Sequence, residues 1–385
     1  MTGPLDGVLV ADFSRVLAGP YATMLLADLG ATVVKVERPG AGDDTRAWLP
    51  PVDADGQSTY FDSVNRNKYS IDLDISDPSD LAIAQCLAQR ADVLVENFKV
   101  GALDKYALGY PQVSAVNPGV VYCSISGFGS GAGAELPGYD ILVQAMGGLM
   151  SITGMDEPTK AGVAVVDVLT GLHATVGIIA ALRHRERTGV GQLMEVSLLS
   201  SLLSSLVNQA SAFAIAGVVP TLMGNAHPSI APYEVYPTAD RPIVIAVGND
   251  RQFAHLVKAL GASGMATDER FATNALRVAN RELLKERMIE LLARNGADVW
   301  QEAIGAVGVP CGPVNDISEA FALAARLGLE PIVDLRDDRR TGAQPQVANP
   351  VHYGQTPVQY RSAPPRVGED RARVLSMLRL EADPT

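Results

Sequence analysis

The sequence predicts an α/β protein: a parallel sheet flanked by helices, followed by a smaller α+β domain. Three observations carry this expectation. Residues 8–36 run strand, helix, strand; the same alternation recurs up to about residue 200; and the composition changes at the Pro-rich stretch "GNAHPSIAPYEVYPTAD". A chain of 385 residues, 47% of them hydrophobic, has material for two cores. The expected division is a large domain over residues 1–222, completed by a tail over 328–385, with a small domain over 223–327 between them.

The elements can be justified in order. "GVLVADF" is an apolar strand, a helix opens near Pro20 and closes at Gly30, and Val33, Val34 and Val36 mark a second strand, which makes a βαβ unit. A helix around 79–90, a strand "DVLVENF" and a strand "GVVYCSISGF" repeat the pattern. A long apolar helix over 166–185 follows, and "GQLMEVSLLSSLLSSLVNQASAFAIAG" reads as a strand leading into one further helix. Beyond the Pro-rich boundary come a short strand "PIVIAVG", helices near 251–260 and 280–294, and a turn-rich loop "GVPCGPVND". The closing helix near "GEDRARVLSMLRL" carries Val374, Leu375, Leu378 and Leu380, which require an apolar surface; the first domain is expected to supply it.

Composition narrows the function. A net charge of -12 repels nucleic acid and anionic membrane surfaces, so any bound phosphate has to meet a local cationic pocket. Cys86, Cys123 and Cys311 are widely spaced with no C-x-x-C, which suits a reducing cytoplasm, and the five histidines form no metal-ligand pair, so no metal is expected. The N-terminus lacks a basic leader and no apolar run is read as a membrane span.

Several segments offer chemistry. Glu37 ends the second strand where an acidic residue meets a ribose in dinucleotide enzymes, but "SRVLAGP" is not the glycine loop such enzymes need. Arg38 suits a phosphorylated adenosine or is a solvated arginine. Arg66 and Lys68, set among Asn65 and Asn67 in "SVNRNKYSIDLD", suit a phosphate or form a polar turn. Asn97, Lys99 and Lys105 lie beyond a strand's carboxyl end, where open α/β sheets collect ligands. In "AVVDVLTG", Asp167 is either the cap of the long helix or a carboxylate nucleophile kept ionised at the helix N-terminus, with nearby amides free to hold an oxyanion. His173, Tyr139 and His227 read as packed residues unless a site lies against them.

Together, "DFSRVLAGPYATMLLADLGATVVKVERPGAGDDTR", "NRNKYSIDLD", "DVLVENFKVGALDKYALGY", "PGYDILVQAMGGLMSITG", "VAVVDVLTGLHATVGIIAAL", "GNAHPSIAPYEVYPTADRPIVIAVGND" and "PPRVGED" resemble the class III CoA-transferases (the CaiB/BaiF family), which include formyl-CoA transferase and the α-methylacyl-CoA racemases. The resemblance spans essentially the whole chain. It implies a Rossmann-like large domain, two interlaced chains, and acyl-CoA and a small carboxylic acid as substrates with no permanent cofactor. It places the catalytic aspartate at Asp167, a transferase tyrosine at Tyr139 where racemases carry histidine, and CoA contacts at Arg38, Asn97 and Lys105. Asp250 falls near a racemase glutamate. Leu17 stands where formyl-CoA transferase has a glutamine, Pro137 and Gly138 stand where it has a lysine, and its run of four glycines is absent, so the resemblance does not extend to oxalate and formyl-CoA as the substrate pair. CoA transfer through a covalent aspartyl intermediate is the expected activity. The alternatives are α-proton exchange by a racemase, which a phenol at Tyr139 serves poorly as a base, CoA binding without turnover, and an NADP oxidoreductase without its glycine loop.

Overall fold

The computed structural model describes residues 3–380 except 338 and 341. The chain divides into two compact units. Unit one comprises Met1–Leu149, Ala161–Val218 and Glu330–Thr385; unit two comprises Met150–Lys160 and Val219–Leu329.

Unit one is built on six parallel strands: β1 (Leu9–Asp12), β2 (Thr32–Glu37), β3 (Lys68–Asp72), β4 (Val93–Glu96), β5 (Val121–Ser126) and β6 (Gln192–Ser197). Their order is β3-β2-β1-β4-β5-β6, the doubly wound arrangement, so the strand order reverses beside β1. The near-continuous apolar runs in β1, β2 and β4 follow from burial on both faces. Among the described residues, eight α-helices precede the boundary: α1 (Ala18–Asp28), α2 (Thr59–Asp62), α3 (Pro78–Arg90), α4 (Tyr110–Val116), α5 (Asp140–Met146), α6 (Val165–Thr188), α7 (Leu198–Ser205) and α8 (Val207–Ala216). α1 and α6 cover one face, and their backbones approach closely because Gly171 has no side chain: a Cβ there would stand 2.7 Å from the Ala18 carbonyl oxygen.

Unit two holds an antiparallel sheet of β7 (Tyr233–Tyr236), β8 (Ile243–Ala246) and β9 (Cys311–Pro313), with α9 (Asp250–Ala259), α10 (Asn274–Ala279), α11 (Arg281–Leu292), α12 (Ala297–Gly305) and α13 (Ile317–Arg326). The chain then forms an antiparallel pair, β10 (Ile332–Arg336) with β11 (Ala343–Val347), and ends in α14 (Arg371–Met377) on the core of unit one through Val374 and Leu378.

The structure corrects four expectations. Met150–Lys160 belongs to unit two, where the Gly224 amide donates to the Gly154 carbonyl at 3.0 Å. The single helix expected after β6 is two, bent by 83°, with Val207 at a left-handed φ of 44° interrupting the helical ladder. "GVPCGPVND" contains a strand, β9, rather than loop alone. By length and composition α6 is apolar enough to cross a membrane, contrary to the expectation that no run is; Ala174, Ile178, Ala181 and Leu182 of this helix lie in the core of unit one.

The loop "NRNK" is corrected as well. Arg66 is buried, donating to both carboxylate oxygens of the unexposed Asp28 at 2.9 and 2.6 Å and to the Val347 carbonyl at 2.9 Å. Lys68 is fully buried, with its ammonium 3.1 Å from Asp12 and 2.9 Å from both the Pro20 carbonyl and Asn65 Oδ1. Burial pulls its pKa down to about 8 despite Asp12. These two cations are buried and tie strands and tail together, and neither lines either of the two large cavities. Arg66→Ala should therefore lower the free energy of unfolding measured in urea by about 3–5 kcal/mol, because it leaves Asp28 buried without its counter-charge.

Candidate active site

Open parallel sheets bind ligands beyond the carboxyl ends of their strands where the order reverses. Here that position lies between the segment after β1 and the segment after β4. Buried charge shapes the first of these. Asp12 accepts from the Ser14 amide at 3.0 Å, Lys35 donates to the Ser14 carbonyl at 2.9 Å and pairs with Asp43 at 2.9 Å, and Asp43 accepts from the Val16 amide at 3.3 Å. Lys35, with the Thr45 amide and hydroxyl, overcomes the cost of burial and holds Asp43 down to about 2. From β4, Asn97 grips Arg15 at both ends, accepting from its amide at 2.9 Å and donating to its carbonyl at 2.7 Å. Between these clamps Val16 is held at a φ of 71°, a strained setting for a β-branched residue.

A cavity of about 410 Å³ opens over this turn, and Arg15, Asn97, Tyr139 and Asp167 all line it. Tyr139 comes from the segment after β5, which doubles back on itself. Gly127 and Gly138 touch backbone to backbone: a Cβ on Gly127 would lie 2.4 Å from the Gly138 Cα. Tyr139 precedes the first residue of α5 and is 63% exposed.

Asp167 is not the cap of α6. It is the third helical residue, and the cap position is Ala164. The helix start is instead satisfied from outside, since Asp140 Oδ1 accepts from the Val166 amide at 2.8 Å and the Asp167 amide at 3.3 Å. The other Asp140 oxygen accepts from Gln144 at 2.6 Å, and Gln144 in turn accepts from the Ala161 amide at 2.8 Å. The amides expected to hold an oxyanion at this helix start are thus taken by the protein. The Asp167 carboxyl is pushed up to about 7, by burial first and by the Asp140 charge second, so these outweigh the helix dipole that was expected to keep it ionised.

A second cavity of about 400 Å³ shares Arg15 and Phe98 with the first and is lined by Arg38, Leu73, Ile75 and Tyr106. Arg38 is half-exposed and pairs with Asp44, which also faces Arg15 at 3.4 Å. Lys105 lines neither cavity; its ammonium lies 4.7 Å from the Tyr106 ring. Lys99 lines the first cavity, bound to Glu135 at 2.6 Å. Glu37 is consumed by Arg46 at 2.8 and 2.7 Å and by Ser70 at 2.6 Å, so it does not serve a ribose. His173 is exposed, with Nδ1 2.9 Å from the Leu169 carbonyl. In unit two, Asp250 accepts from the buried Arg277 at 2.7 Å, and His227 Nδ1 accepts from the Ser229 amide at 3.1 Å. Sequence reasoning missed Arg15 and Asp140. An arginine directly after an apolar strand and an aspartate beside Tyr139 were the available signals.

A doubly wound sheet whose switch-point cavity holds a half-buried carboxylate, beside a second cavity that carries an arginine, has the layout of an enzyme that takes an anionic ligand beyond its strand ends. The chain belongs to CoA-transferase family III, whose model matches residues 5–371. It is 45% identical over 97% of its length to succinate–glutarate CoA-transferase of Agrobacterium fabrum, covering 96% of that protein. It is 39% identical over 97% of its length to human succinyl-CoA:glutarate CoA-transferase, covering 85% of it, and 42% identical over 83% to acetyl-CoA:oxalate CoA-transferase of Acetobacter aceti, covering 83%. A crystal structure of a CaiB/BaiF family protein from Brucella suis superposes with a TM-score of 0.88 at 40% identity, over 98% of this chain and 100% of that one.

If Asp167 acts as a base or nucleophile, kcat/KM for acyl-CoA should rise with pH along a limb centred near 7. Asp140→Asn keeps the helix start bonded but removes the neighbouring charge, so it should move that limb to lower pH in a pH–rate profile. Asp167 is raised in the folded state, so its ionisation lowers stability as pH climbs from 3.8 toward about 7; Asp167→Asn should accordingly gain Tm over wild type at pH 8 but not at pH 3.

Proposed function

We propose that this chain moves CoA from an acyl-CoA donor to a carboxylic acid acceptor, with Asp167 as the covalent nucleophile and short dicarboxylic acids as the acyl groups. The observation that carries the reading is the Asp167 carboxyl, half-buried and pushed up to about 7, in a cavity contiguous with the one that Arg38 lines. The succinate and glutarate in the names of two relatives support the substrate class. Arg38 meets the adenosine phosphate, Asn97 shapes the turn beside the carrier, and the Tyr139 phenol donates to the thioester oxygen as charge develops on it.

The chemistry keeps the thioester's energy without ATP. A carboxylate oxygen of Asp167 attacks the donor carbonyl carbon, the C–S bond breaks, and CoA thiolate leaves behind a mixed anhydride. The thiolate attacks the Asp167 carbonyl carbon and expels the donor acid, giving an aspartyl-CoA thioester. The acceptor carboxylate then attacks that carbonyl and releases thiolate, which takes the acceptor acyl group and frees Asp167. Each exchange is close to isoenergetic, so positioning dominates the protein's task. A pKa near 7 leaves the nucleophile about half ionised at neutral pH and more basic than an ordinary carboxylate. Racemisation would need a second base opposite Asp167, and the phenol at position 139 disfavours it.

Incubation with succinyl-CoA and no acceptor, followed by hydroxylamine, should place a hydroxamate on the peptide containing Asp167, read by mass spectrometry. Asp167→Asn should lose the adduct and at least about 1000-fold in transfer. Transfer by Asp167→Asn at the wild-type rate would refute the nucleophile, and α-deuterium exchange into a 2-methylacyl-CoA without transfer would favour the racemase.

The working form we propose is a dimer of interlaced chains in the cytoplasm. Its support is the apolar surface that α6 and α8 leave open, with Val176 69%, Phe213 61% and Ile215 85% exposed. Mass photometry at nanomolar concentration should record about twice the 40.6 kDa chain mass; monomers would overturn the arrangement.

A further inference from the structure

Arg15 is the part of the cavity that the reaction above leaves unused. Its backbone is clamped at both ends by Asn97, and the strained Val16 follows it, so the turn fixes where this side chain leaves the main chain, and the residue lines the cavity. The guanidinium packs 4.9 Å from the Phe98 ring and reaches Asp44 only through Nη1, at a long 3.4 Å. Its Nε is buried with no hydrogen-bond partner. A buried N–H left unpaired costs stability until an acceptor meets it, and Nε with the adjacent Nη2 forms the edge that grips a carboxylate with two parallel bonds.

The charges around it select the ligand. Asp44, Glu135, Asp140 and Asp167 line this cavity, and of its two cations Lys99 is engaged by Glu135. A second carboxylate on the acyl chain entering here would be repelled unless it met a guanidinium edge that Asp44 does not occupy. We propose that Arg15 is the subsite for the distal carboxylate of a dicarboxylic acyl group, which makes it the residue that separates dicarboxylic from monocarboxylic substrates. The inference rests on the reading of this cavity as the acyl-CoA site. Arg15 also lines the cavity of Arg38, so the other source of an oxyanion for the same edge is the diphosphate of CoA.

Glutaryl-CoA and pentanoyl-CoA differ only in the distal carboxylate, which lets calorimetric binding separate the sources without turnover. Arg15→Gln should raise the Kd of glutaryl-CoA roughly 10- to 100-fold while those of pentanoyl-CoA and free CoA stay within about twofold. Arg15→Lys, which keeps the charge but loses the fork, should fall between. Equal losses for all three ligands would overturn the inference in favour of the CoA diphosphate, and unchanged glutaryl-CoA binding would overturn it outright. Circular dichroism melts of both variants separate a folding defect from a binding one. Wild-type protein that binds none of the three ligands would instead remove the acyl-CoA reading beneath the inference.

Discussion

Four charged side chains with no exposure, Asp12, Lys35, Asp43 and Lys68, hold the ends of the first strands, and the ligand-facing surface is arranged around them. Charge buried at this depth is tolerated only when paired and fully hydrogen-bonded, so each partner has one place to be. Asp12 fixes Ser14 and meets Lys68; Lys68 reaches the Pro20 carbonyl in the first turn of α1; Lys35 joins Ser14 to Asp43; Asp43 holds the amide of Val16. The turn after β1 is thereby pinned from below, and Asn97 pins it from the side. A strained φ at Val16 persists because its surroundings over-determine it.

The second constraint is the division of labour between two aspartates. Asp140, from α5, satisfies the amides at the start of α6 and so frees the Asp167 side chain from capping. The same carboxylate brings negative charge close to Asp167 and adds to the burial that raises it. Stability is given up at this carboxylate, and the loss is borne by a helix of 24 residues whose inner face lies in the main core.

Much of the fold was legible because it rests on short-range periodicity. The βαβ opening, the strands at "DVLVENF" and "GVVYCSIS", and the helix over 166–185 each carry their own apolar pattern and end signals. The break at Val207 was not legible, because "SSLLSSLVNQA" satisfies helical spacing across it. Strand β9 escaped because three residues among glycine and prolines become a strand only by pairing with β8.

At the site, the sequence by itself determined the family, through the resemblance of "DFSRVLAG", "PGYD" and "VVDVLTG" to its motifs, and with it Asp167 and Tyr139 as candidates, but not Arg15 or Asp140. Tertiary structure alone decided which charges face a ligand. Arg66 and Lys68 look like phosphate donors in a loop, yet Asp28 and Asp12, 38 and 56 residues away, consume them. Asp167 looks like a cap, yet Asp140 from another helix takes that role. Charge type and spacing are local properties, whereas burial and pairing depend on residues far along the chain, and it is these that set whether a cation holds a strand or a substrate, and whether a carboxylate is inert or basic.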